Sequence, residues 1–111
     1  MSPKAPSDFE QHVLLAVWRS SGEAYGLTVR DELERRTGRR VTVGAIYATL
    51  VRLEGKGWAT SRLAAPTRKR GGKRKRCFEV TPEGIAALAE ARRTLDLLWE
   101  GLDAPGEAVE G

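Results

Sequence analysis

Ten residues from Thr67 to Arg76, TRKRGGKRKR, carry seven cationic side chains: Arg68, Lys69, Arg70, Lys73, Arg74, Lys75 and Arg76. No acid and no apolar side chain stands among them. The chemistry open to such a cluster is electrostatic, since guanidinium forks pair with phosphate or carboxylate and ammonium groups neutralise charge at a point. None of the seven can enter a core unpaired without losing its hydration, so the segment must lie in water or against an anion. The chain of 111 residues has a formal net charge of +4, which leaves −3 for everything outside the cluster. The basicity is therefore local, a positioned contact on a mildly acidic body.

Other reactive residues are few. Cys77 is the one cysteine and His12 the one histidine, so an internal disulfide is excluded and an ordinary zinc site has too few ligands. His12 stands beside Val13 and Leu14 in a helical pattern and reads as structural, which leaves a Cys–His nucleophile pair without support. No catalytic set, metal site or cofactor is expected, and the chain does not read as an enzyme. Hydrophobic residues make up 41% and charged residues 31%, the balance of a globular domain with a modest core. No apolar run approaches the roughly 18 residues of a membrane helix. The opening MSPKAPSDFE lacks the apolar segment of a signal peptide, so a cytoplasmic protein is expected.

The elements that must hold the cluster follow from periodicity. Residues 1–7, with Pro3 and Pro6, read as a disordered arm, and Ser7 or Asp8 can cap a first helix with Phe9, Val13, Val17 and Leu14, Trp18 at helical spacing. A short second helix follows in YGLTVRDELERRTG, with Leu27, Val29 and Leu33 as its apolar positions and Gly38 where a left-handed cap falls. Thr42 is the expected cap of a third helix, in which Ile46, Leu50 and Leu53 face inward and Gly55 and Gly57 mark the end. WATSRLA and RCFEVT alternate as strands, so the basic decapeptide becomes the tip of a hairpin, with Gly71 and Gly72 allowing the reversal. Three short helices and a hairpin make a winged helix-turn-helix, mainly α with a small β wing.

Thr81 and Pro82 open a last helix running to about Leu102. Ile85, Leu88, Leu95, Trp99 and Leu102 fall on alternating steps of three and four, with Arg92 in the missing place, the pattern of a coiled-coil seam. So small a domain has little of its own to cover that seam, and a second copy is the natural partner, with folding back onto the first helix as the alternative. The expected organisation is an arm over 1–7, a winged helix-turn-helix over 8–81, a dimerisation helix over 82–103 and a flexible tail over 104–111.

The motifs in this frame resemble those of the PadR family of bacterial winged-helix transcriptional regulators, in particular its short members. The resemblance runs from Tyr25-Gly26, through IYATLVRLEGKGW, similar to the family's Y-P-x-L-x-R-L-E-x-x-G-L, to GKRKRCFEVTPEG, similar to its wing segment G-R-P-R-K-Y-Y-x-L-T-x-x-G. Ala48 stands where the family often has Pro, Gly55 where it often has a charged residue, and Cys77 where it usually has Tyr. The resemblance implies homodimers that bind palindromic operator DNA, usually as repressors, and that pair through the last helix and the first. Phe9, Leu88, Arg92, Leu95, Trp99 and Leu102 are the interface residues expected on that basis. It also implies that some members release DNA on binding small phenolic or drug-like ligands near the interface; Trp99 reads either as simple packing at the seam or, with Arg92, as a flat wall for a small aromatic effector.

The third helix is expected in the major groove of double-stranded DNA, with Arg39 and Arg40 ahead of it as phosphate clamps or as solvated loop residues. Thr42, Val43, Gly44 and Tyr47 begin the helix. In the family the tyrosine at this position touches the DNA backbone; otherwise Tyr47 packs half-buried on the first strand. No Arg, Lys, Asn or Gln occurs from Val41 through Val51, so the usual bidentate base readers are missing and thymine methyls, groove shape and the wing arginines carry the expected specificity. Two rival readings remain at this stage: a sequence-tolerant RNA- or nucleoid-binding module, and a protein-interaction module whose basic loop docks on an acidic partner.

Overall fold

The computed structural model describes residues 5–64 and 75–103. Helix α1 spans Asp8–Arg19 and opens with a reciprocal cap: the Glu10 N–H donates to the Ser7 hydroxyl at 3.2 Å, and the Ser7 N–H donates to the Glu10 carboxylate at 2.9 Å. Helix α2 spans Gly26–Thr37 and closes on Gly38, whose φ of 75° is a conformation that side chains with a Cβ resist. Helix α3 spans Val43–Gly55, and its cap Thr42 accepts the Ala45 N–H at 3.0 Å. Strand β1 (Ala59–Leu63), strand β2 (Arg76–Val80) and helix α4 (Pro82–Trp99) complete the order. The fold is the expected winged helix-turn-helix with one long terminal helix.

One core serves all of these elements. Val13, Leu14 and Val17 of α1, Val29 and Leu33 of α2, and Ile46, Leu50 and Leu53 of α3 close on Trp58, Phe78 and Leu88. Leu27, expected in this set, is 47% exposed instead. It precedes Val29 by two residues, and on a helix that places the two side chains on opposite faces. Trp18 is likewise half-exposed, because α1 has a second apolar face, formed with Leu15, that looks toward α4.

The two strands pair antiparallel, with Ala59 opposite Val80 and Leu63 opposite Arg76. The Ala64 N–H donates to the Lys75 carbonyl at 2.6 Å, carrying the pairing to the edge of the described wing. On the other side of β2, the Phe78 N–H donates to the Ala24 carbonyl at 2.9 Å, so the connector between α1 and α2 covers an edge that would otherwise be bare.

At the start of α4, the Thr81 hydroxyl accepts the Gly84 N–H at 3.0 Å and donates to the Gly57 carbonyl at 2.7 Å. Gly84 lies so near the Trp58 backbone that a Cβ there would collide with the Trp58 carbonyl oxygen. The buried face of α4 is Gly84, Leu88 and Ala91. Two residues of the expected seam have distinct places within the chain. Leu88 belongs to the chain's own core at 7% exposure, and the stripe passes through Ala91, leaving Arg92 outside it with a solvent-exposed side chain. The helix also stops at Trp99; the Leu102 N–H donates to the Trp99 carbonyl at 2.8 Å in a turn that contains Gly101 at φ 83°.

Two carboxylates, the buried Glu10 and the partly exposed Glu32, tie the helices together. Glu10 accepts Lys56 Nζ at 2.8 Å and Arg52 Nε at 3.2 Å, joining the start of α1 to the end of α3. Burial disfavours its charge, but hydrogen bonds from Lys56, the Ser7 N–H and Arg52 outweigh this and hold the carboxyl below its usual value of 4.5. Glu32 of α2 pairs with Arg36, Arg35 and, across to α1, Arg19. The Arg36 hydrogen bond leads in lowering its pKa as well.

Two predictions follow from these ties. A carboxyl with a depressed folded-state pKa contributes stability above its unfolded value, and that contribution is lost as pH falls through the folded value. Glu10→Gln should therefore lower stability in urea titrations by about 1–3 kcal/mol at pH 7, with a difference from wild type that shrinks as pH drops below about 4. Gly84→Ala, forced against backbone, should lower stability by roughly 1–3 kcal/mol or more in the same titrations.

Candidate nucleic-acid interface

The start of α3, the start of α2 and the base of the wing meet on one surface. Gly26 marks where the two helix starts meet: a Cβ built there would lie in ordinary contact with Val43 Cγ1 at 3.8 Å and Tyr47 Cδ1 at 3.9 Å. The Tyr47 ring sits edge-on against Phe78 of β2, with centroids 6.1 Å apart and planes at 84°. It therefore packs on the second strand, yet remains 42% exposed. Tyr25, the residue ahead of α2, lies under the Lys75 ammonium at 5.2 Å. Lys75 is thus placed beside the helix starts at the point where the basic segment leaves the hairpin.

Of the residues expected to touch DNA, Val43, Tyr47 and Lys75 are brought together by these contacts, and Thr42 and Gly44 adjoin them along the chain with exposed side chains or backbone. Arg39 and Arg40 are exposed in the connector ahead of Thr42, and among the described residues neither forms an ion pair. Arg76 has a different place from that of a free prong. Its Nη1 donates to the Ser61 hydroxyl at 3.0 Å, and Ser61 donates in turn to Glu54 at 2.8 Å, so it braces the hairpin against the end of α3. Arg68, Lys69, Arg70, Lys73 and Arg74 lie outside the described residues. Tyr25 is the residue that sequence reasoning did not assign to the site; its signal was the Tyr-Gly pair directly before a helix start.

A second feature lies between α1 and α4. A groove of about 640 Å³ is lined by Leu15, Trp18, Ile85, Leu88 and Leu95, with Arg92 at its side. Trp99 is not part of it, but lines a shallower cavity of about 190 Å³ with Leu95, Leu98 and Leu102. The two residues singled out for a ligand are therefore in separate depressions, and Trp18 is the aromatic that accompanies Arg92. Beyond the core, the end of α4 exposes Leu95 50%, Leu97 61%, Leu98 69%, Trp99 50% and, past the helix, Leu102 65%, with the charged Arg92, Arg93 and Asp96 among them.

The reactive pair considered from the sequence is not assembled. Cys77 is buried with its thiol 3.7 Å from the Gly22 carbonyl, whereas His12 lines a separate groove between α1 and α2. Among the described residues no group of three His, Cys, Asp or Glu side chains is arranged to hold a metal ion. None of the described helices is long and apolar enough to cross a membrane.

Comparison with known proteins agrees with this geometry. Residues 14–90 match the model of the transcriptional regulator PadR-like family. The chain is 39% identical over 79 residues to the transcriptional regulator Rv3488 of Mycobacterium tuberculosis, an alignment covering 71% of this chain and 69% of that protein. Its fold is similar to that of a PadR family transcriptional regulator from Eggerthella lenta, with a TM-score of 0.69 at 24% identity over 85% of this chain and 77% of the other. It is also similar to that of a PadR-like regulator from Bacillus cereus, with a TM-score of 0.66 at 20% identity over 83% and 84%. With its motifs, its winged helix and the greater part of its length matched in this way, the chain belongs to the PadR-like family of transcriptional regulators, which act by binding DNA and not by catalysis.

Proposed function

We propose that this regulator binds a palindromic operator as a homodimer and acts as a repressor, which would keep it with the chromosome in the cytoplasm. Residues 8–81 form the DNA-binding unit in this reading, and α4 and its extension, residues 82–103, the pairing unit. The observation that carries it is Lys75 over Tyr25: the root of a segment with seven cations stands against the starts of α2 and α3. A duplex receiving α3 in its major groove then has Arg68, Lys69, Arg70, Lys73 and Arg74 within reach of the flanking minor groove and its phosphates. Arg39 and Arg40 are available to phosphates on the opposite flank, with no competing ion pair among the described residues.

Pairing is supported by the end of α4. Leu95, Leu98, Trp99 and Leu102, exposed together, form an apolar patch of the kind that a partner surface covers. Phe9 is only partly buried, and together with the Leu15 and Trp18 face of α1 it leaves the first helix available to the same interface. The groove between α1 and α4 would lie beside that interface, and it is the place for a small aromatic effector, with Trp18 as its flat wall and Arg92 as its cation.

Selection of bound duplexes from a random pool tests the reading. It should return a two-fold-symmetric motif with half-sites about one helical turn apart, bound roughly a thousandfold or more above random DNA. If about five phosphates per subunit are neutralised, log affinity should fall against log salt with a slope of about −9 for the dimer. Random and selected duplexes binding within about tenfold of each other would instead indicate a sequence-tolerant module. Leu98→Asp, which adds a charge where the partner should lie, should weaken dimerisation by about 2 kcal/mol or more in sedimentation equilibrium. The circular dichroism spectrum should stay that of the wild type, because Leu98 lies outside the core.

A further inference from the structure

The outward face of α3 carries almost no hydrogen-bonding side chain. Ile46, Thr49, Leu50 and Leu53 point into the protein. Facing water are Val43, Tyr47 and Val51, at 37, 42 and 51% exposure, with Gly44 and Ala48 between them. The one cation of the helix, Arg52, is turned back onto Glu10 and Thr49. Guanine and adenine present N7 acceptors that need donors, and this surface offers them the Tyr47 hydroxyl and little else. The apolar feature of the major-groove floor is the C5 methyl group of thymine.

Gly44 points the same way. Its backbone is ordinary right-handed helix, and a Cβ added there would meet only Thr42 Oγ1, at a comfortable 3.9 Å. Glycine is a poor helix residue, and nothing inside the chain requires it here. What the missing Cβ provides is room for the helix backbone to come close to an external surface.

We propose that α3 selects its operator by pyrimidine C5 methyl groups, which Val43, Ala48 and Val51 contact, while Gly44 lets the helix lie deep enough to reach them. The inference rests on the DNA-binding reading above and adds to it the feature of the base that is recognised. It has a regulatory corollary. 5-Methylcytosine carries the same methyl at the same place on the groove floor, so a methylated cytosine stands in for thymine on this surface. Methylation of cytosines in the half-site therefore strengthens binding.

The test uses the full-length protein and the selected duplex, at one salt concentration, with each half-site thymine changed in turn to uracil, cytosine or 5-methylcytosine. Uracil removes only the methyl, and at each contacted thymine it should weaken binding about threefold to fivefold, the effect of leaving one methyl unburied. The 5-methylcytosine duplex should bind more tightly than the cytosine duplex by a similar factor. Val51→Thr, at a half-exposed site, should reduce the thymine-to-uracil difference. Gly44→Ala should melt at the same temperature as wild type or higher, and should bind the operator severalfold more weakly. Equal binding of thymine and uracil at every position, or wild-type affinity in Gly44→Ala, overturns the inference while tight operator binding leaves the regulator reading standing. Failure of the selection to return any preferred duplex overturns both.

Discussion

The hydrogen bond from the Phe78 N–H to the Ala24 carbonyl, with the Phe78 ring 1% exposed beneath it, is the contact on which the DNA-facing surface depends. It joins the second strand of the wing to the connector that launches α2. The same ring supports Tyr47 at the start of α3. A backbone bond fixes where the strand runs, and a buried ring fixes what can stand on it. Together they hold the wing base and two helix starts in one arrangement without any salt-sensitive contact.

Charge is distributed on a different principle. The arginines and lysines on the body of the protein are largely engaged: Arg52 and Lys56 with Glu10, and Arg19, Arg35 and Arg36 with Glu32. These pairs connect helices that hydrophobic contact alone would let slide, and each carboxylate stays charged because several donors converge on it. Arg76 is likewise engaged, through Ser61 to Glu54. Among the described residues, Arg39 and Arg40 ahead of α3 are exposed and form no ion pair. Salt screens the exposed arginines around Glu32 more than it does the buried carboxylate of Glu10.

The long helix divides its work at Ala91. Up to that residue, Gly84 and Leu88 dock α4 on Trp58 and the core, with the glycine permitting a backbone approach that any side chain would block. Past it the helix projects with leucines and Trp99 exposed. The groove between α1 and α4 lies beside the anchored part and is lined by residues of both helices.

Much of this could be read from the amino-acid order because it depends on local chemistry. Ser7, Thr42 and Thr81 cap helices through their own neighbours, Pro82 and Gly38 mark a start and a stop, and spacings of three and four identified Ile46, Leu50 and Leu53 as core. The concentration of charge in residues 67–76 needed no structure either. What the order left open were choices between faces that only packing could make. Leu27 looked as apolar as Val29 but lies on the opposite side of its helix, and the spacing of α4 did not show that Gly84 and Ala91 flank Leu88 on the buried face while Leu95 stays half-exposed. Tyr25 and Lys75 are fifty residues apart and meet because the hairpin folds back beside α2. Sequence alone determined the elements, their ends and the place of the free charge, since each follows from contacts within a few residues. The tertiary structure decided which apolar face is covered and which of the described cations are engaged, since both depend on surfaces that meet only when distant segments pack.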